Sequence, residues 1–74
     1  MEFQEAERRY RELRTERDQG VLDDAEFRLR VADLLLRDAN GTFWMLDAEA
    51  GDWYANRGSG WQPADPRLEW PAAG

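Results

Sequence analysis

The chain contains no cysteine and no histidine, and all ten of its basic residues are arginine, because lysine is also missing. Without cysteine there can be no disulfide and no thiolate metal site. Without histidine the usual general base and the commonest zinc ligand are gone. The lysine-free, arginine-rich usage has the look of a GC-rich coding bias. Apolar runs are short, far below the roughly 20 residues that a bilayer-spanning helix needs, and none has the form of a signal peptide. A cytoplasmic protein without membrane insertion is expected. The net charge of −6 argues against nucleic acid and anionic membranes as partners. Carboxylates are plentiful, but no His, Cys or Gly-rich phosphate loop converges with them, so no enzyme, catalytic residue, metal or cofactor is expected. Asp47, Glu49, Gly51 and Asp52 resemble a calcium loop only in outline. The glycine comes one residue early and Gly58 occupies the bidentate position, so a solvated loop is the reading.

Seventy-four residues make a marginal core, one that usually leans on a partner. What is present divides into two chemistries. Residues 1–40 carry eleven acids and eight arginines, and residues 41–74 carry five acids and two arginines. The second half also holds all four tryptophans and all three prolines.

Phe3, Ala6, Tyr10 and Leu13 recur at intervals of three and four, one stripe of a helix. Glu5-Arg9 and Glu7-Arg11 lie four apart on its solvated side. Gly20 suits a left-handed C-cap. Asp23 then reads as an N-cap, with Glu26 in the capping-box position and Leu22 and Phe27 as a hydrophobic staple. A second helix is expected over roughly 24–38, closing at Asn40-Gly41, a C-cap or turn pair. Its apolar residues Phe27, Leu29, Val31, Ala32, Leu34, Leu35 and Leu36 are wider than one stripe. Val31, Leu34, Leu35 and Leu36 are therefore expected to form an oligomer interface, and a homo-oligomer is expected.

The run from Tyr10 to Leu36 resembles the short helical-hairpin family called SHOCT. The resemblance is carried by Leu13, Arg17-Asp18, Gly20, Val21-Leu22, Asp23-Asp24, Glu26-Phe27 and Leu34-Leu35. It implies a non-catalytic assembly element with no active site to carry over.

Thr42–Leu46, Asp52–Asn56 and Trp61-Gln62 read as three short strands, with Asp47–Gly51 as a loop and Arg57–Gly60 as a turn. The fold class is therefore α+β: an antiparallel helical hairpin over 1–40, a three-stranded antiparallel β-meander over 41–66, and an extended or disordered tail over 67–74. Alternation places Thr42, Trp44 and Leu46 on one face and Phe43 and Met45 on the other. In the next strand Trp53 and Ala55 oppose Tyr54 and Asn56.

The segment is similar to a WW domain on Trp44, Gly51, Trp53-Tyr54, Asn56, Trp61 and Pro63. That resemblance implies a structural buckle of Trp44, Tyr54 and a C-terminal proline, with Asn56 fixing the backbone. Trp53 and Trp61 would form a groove for a proline-rich peptide. The loops are shorter than the family's, Arg57 replaces its common histidine, and Pro63 follows Trp61 too closely, so Pro66 is the expected buckle proline. Similar Gly-x-Trp-Tyr patterns occur in choline-binding repeats, so exposed rings could equally stack a cationic ligand or a sugar. The alternative for any of these rings is plain packing against the second helix.

The expected function is a non-catalytic protein-interaction and self-assembly module. Trp53, Trp61, Phe43 and Met45 are the binding candidates, and Trp44, Tyr54, Asn56 and Pro66 the structural ones. A small-ligand or proline-rich-peptide binder and a structural accessory subunit are the other readings. Trp70-Pro71 in the tail would fold back on the domain or dock on a neighbour.

Overall fold

The computed structural model describes residues 2–71. The first helix, α1, spans Phe3–Asp18, and its stripe Phe3, Ala6, Tyr10, Leu13 is buried. It stops in a Schellman motif. Gly20 takes φ +78°, its N–H donates to the Arg17 carbonyl, and the Val21 N–H reaches the Glu16 carbonyl at 2.8 Å. Glycine adopts that left-handed conformation without a Cβ clash. The second helix, α2, spans Asp24–Ala32, and the Asp23 side chain caps it by accepting from the Glu26 N–H. Leu22 and Phe27 on either side of the cap are both buried.

The second helix is shorter than the sequence suggests. It ends at Ala32, and Leu34 and Leu35 donate back three residues to Val31 and Ala32 rather than four. Such bonds tighten a final turn and release the chain. Leu36–Arg37 then becomes a strand, β1. Asn40-Gly41 is accordingly the tip of a hairpin and not a helix cap. Gly41 sits at φ +81°, and the Asp38 carboxylate organises the turn by accepting from the N–H groups of Asn40 and Thr42.

The sheet has four strands where the sequence suggests three. After β1 come β2 (Phe43–Leu46), β3 (Trp53–Asn56) and β4 (Trp61–Pro63), all antiparallel neighbours in chain order. The class is α+β. The loop after β2 sets the register of β3. Asp47 and Asp52 bond across it, Gly51 turns back onto Asp47 with φ +73°, and Leu46 comes to lie opposite Trp53. Trp44 then faces Ala55, and Met45 faces Tyr54.

The stretch from residue 67, expected to be extended or disordered, begins inside a short helix, α3 (Pro66–Glu69). Pro66 is buried at its first position, where a missing N–H costs nothing. Asp65 caps the helix by accepting from the Arg67 N–H. Trp70 follows and packs against Phe3 and Trp44, with ring centroids at 5.6 and 5.8 Å. Residues 72–74 of the expected tail lie outside the described residues.

Helices and sheet share one core. It runs from Phe3, Tyr10 and Leu13 through Phe27, Val31 and Leu34 to Leu36, Trp44, Leu46, Trp53 and Ala55. No helix among the described residues is long and apolar enough to cross a membrane.

Candidate functional site

The two faces of the sheet differ sharply. Directly paired residues of an antiparallel sheet point the same way. The inward set is Leu36, Trp44, Leu46, Trp53 and Ala55, all buried, with Gln62 of the edge strand opposite Ala55 and exposed. The outward set forms two rows. Arg37, Phe43, Asn56 and Trp61 make one row across all four strands. Met45, Tyr54 and Pro63 make the other. Leu35, just before β1, continues the second row by alternation.

This arrangement corrects the expected groove. Trp53 is only 6% exposed and lies beneath the sheet. Its ring meets Trp44 edge-on at 6.2 Å, and its indole N–H donates to the Glu7 carboxylate at 2.8 Å. It cannot share a ligand with Trp61, which is on the opposite face and 40% exposed. Tyr54, expected inside as part of a buckle, is on the outer face beside Met45 and half-buried. The physical reason is register. Trp44 pairs with Ala55, so the inward partners of Trp44 are the odd-numbered residues of β3, and a one-residue difference in pairing exchanges the faces.

Asn56 holds the turn between β3 and β4, where its side-chain oxygen accepts from the N–H groups of Gly58 and Gly60. The oligomer interface expected of Val31, Leu34 and Leu36 is also corrected. All three are buried in the chain's own core, because helix and sheet pack on each other directly. Leu35 alone is open to solvent, at 48%.

Phe43 is 40% exposed, and Met45 is partly buried beside it. Arg37 lies over the Phe43 ring, its guanidinium carbon 5.5 Å from the ring centroid. On the other side it borders the hairpin tip, close enough that a Cβ on Gly41 would touch its terminal nitrogen at 3.5 Å. Arg37 was not singled out from the sequence. The signal that could have found it is the Asn40-Gly41 hairpin pair, which makes the preceding Leu36-Arg37 a strand and Arg37 its outward residue.

Next to this face a groove of about 400 Å³ runs between the end of α2 and the sheet. It is lined mainly by Val31, Ala32, Leu35, Met45, Leu46, Ala48 and Trp61, with Arg28 and Asp47 at its rim. Arg28 is already paired there with two carboxylates. Hydrogen bonds to Asp24 and then to Glu49 hold its pKa above the ordinary arginine value.

A second, more polar cleft of about 270 Å³ is lined by Glu7, Gly51, Asp52, Trp53, Ala64, Asp65, Pro66 and Arg67. Of its charged side chains, Glu7, Asp65 and Arg67 are committed to holding the fold. The Glu7 carboxylate takes the Trp53 indole and, at 2.7 Å, the Arg67 guanidinium, tying α1 to β3 and α3. Those bonds to Glu7 raise the Arg67 pKa above the ordinary arginine value. Among the described residues no group of three or more carboxylates could hold a metal ion.

No family model, no curated protein and no solved structure matches the chain.

Proposed function

We propose that the chain is a non-catalytic protein-interaction module that binds through the outer face of its sheet. One observation carries the reading: Phe43, Met45, Tyr54 and Trp61 stand together on the open side of a sheet whose other side is packed. Trp, Tyr and Arg are the residues that most often dominate binding energy at protein interfaces. A rigid strand displays them with little entropy left to lose on binding. The Leu35–Met45–Trp61 groove extends the same surface and offers an apolar pocket beside it.

The test is selection of a random twelve-residue peptide library, displayed on phage, against the folded chain. Peptides whose binding is lost in Trp61→Ala and weakened in Tyr54→Ala are the expected result, with the near-ultraviolet dichroism of the buried Trp44 and Trp53 unchanged. Selection that yields no peptide sensitive to Trp61 would sink the reading.

A further inference from the structure

The outer face has a charge pattern that the rest of the molecule lacks. The chain carries sixteen acids, yet residues 39–46 and 53–64, which supply three of the four strands and both tight turns, contain none. Arg37 is the only charged residue in the two outward rows. Among the described residues no carboxylate lies within ion-pair distance of it. Arg57, at the end of β3, is paired with Glu69 at 2.7 Å, as Arg28 is with Asp24 and Glu49. Arg37 instead lies over the Phe43 ring beside the Gly41 turn, so its guanidinium has a neutral neighbour on the ring side and no carboxylate to balance its charge.

From this we infer that the face takes an extended segment of a partner protein bearing a carboxylate for Arg37 and a large apolar side chain for Trp61. The inference rests on the interaction reading above and names the chemistry of the partner. A planar guanidinium fixed over a ring presents its remaining N–H groups as a fork that a carboxylate fills bidentately. A second copy of this chain, docked face to face, does not supply one. The two outward rows, which hold no acid, would meet themselves, and Arg37 would lose water with no counter-charge to replace it. A basic segment meets repulsion.

The spacing is also defined. Arg37 and Trp61 stand at opposite ends of a four-strand row, three strand separations of about 4.8 Å apart, or roughly 14 Å. A segment lying across the strands at about 3.4 Å per residue covers that in about four residues. The acid and the apolar residue of the partner therefore stand about four positions apart.

The same displayed library tests it. Peptides selected by the native chain should be enriched in Asp or Glu about four residues from an aromatic or large aliphatic residue. The tightest of them, made as a free peptide, should bind Arg37→Gln roughly tenfold more weakly, the scale of one hydrogen bond to a charged group. Selection on Arg37→Glu should turn the enrichment to Arg or Lys. Arg37 is exposed, so both variants should keep the tryptophan dichroism of the native fold. If Trp61-dependent peptides emerge without acidic enrichment, or bind Arg37→Gln as tightly as the native chain, the acidic partner is overturned while the interaction face stands. If no Trp61-dependent peptide emerges, both fall.

Discussion

The inner and outer faces of the sheet place the same kind of residue in opposite surroundings. Trp44 and Trp53 turn inward, and each has its indole N–H taken by a carboxylate: Trp44 by Asp38 at 2.8 Å and Trp53 by Glu7 at 2.8 Å. Trp61 turns outward, and none of the hydrogen bonds among the described residues engages its ring nitrogen. Tyr54, next to Trp53 in the chain, lies on the outer side as well. A tryptophan is therefore not a binding residue by virtue of its type. What separates the two roles is whether the fold supplies both a dry contact for the ring and an acceptor for its N–H.

The largest break of that comparison is truncation of an inner ring. Trp53→Ala should cost about 3–5 kcal/mol, the usual range for a buried aromatic. It also leaves Glu7 without its indole donor. In a chain this small that is most of the expected stability, so urea titration should find the variant largely unfolded. A stable, cooperative Trp53→Ala variant would mean that the ring is dispensable to the core and that the two faces are not distinct.

Next in size is the glycine that decides which face is which. Gly51 holds φ +73°, and a Cβ there would come within 2.6 Å of the Tyr10 ring. That ring is buried, and its hydroxyl donates to the Ala48 carbonyl at 2.9 Å, so it has little freedom to yield. Gly51→Ala should destabilise by about 2 kcal/mol or more, from the left-handed backbone and the displaced ring together. A denaturation midpoint equal to that of the native chain would show that the loop does not fix the pairing of β3.

These two positions also show how far the sequence could be read. The helices were legible because their signals are local. The stripe of α1, the Gly20 turn and the Asp23 cap with Glu26 each depend on residues within a turn or two. The alternation of each strand was legible for the same reason. The side of β3 that turns inward was not. It follows from the length of the Asp47–Asp52 loop and from the pairing of Trp44 with Ala55, and a single residue of slip exchanges Trp53 with Tyr54. Roles carried over from the WW-like pattern placed Tyr54 inside and Trp53 outside, and here the packing reverses them. The end of α2 was hidden for a related reason. Leu34-Leu35-Leu36 suits a helix by composition, but Asn40-Gly41 builds a hairpin that needs Leu36 opposite Trp44. The tail was unreadable because its order rests on partners far along the chain, Glu7 for Arg67 and Phe3 for Trp70.

A smaller effect is expected where a polar partner is removed from an inner ring and the ring itself is kept. Glu7→Ala leaves the Trp53 N–H without its acceptor and releases Arg67 from α1. The unmatched, part-buried donor should cost about 1–3 kcal/mol, toward the low end because the Arg67–Glu7 pair is partly open to solvent. Thermal unfolding should fall below that of the native chain and remain above that of any surviving Trp53→Ala variant. A loss as large as that of Trp53→Ala would assign the ring's stabilisation to its N–H instead of to its packing.

The smallest effect belongs to the outer face, and it is the one on which the comparison turns. Trp61 is on β4, the three-residue edge strand, and 40% of it is exposed. Its removal opens no cavity in the core, because the Trp44, Trp53 and Trp70 rings pack without it. Trp61→Ala should change stability by less than about 1 kcal/mol, within the range of surface substitutions that also lose some strand propensity. Peptide binding at the outer face should vanish in the same variant. A large loss of stability on removing Trp61 would instead make its ring a lid that seals Val31 and Leu46 from the groove side. Both sides of the sheet would then be structural, and the surface assigned to a partner would already be occupied by the protein's own chain.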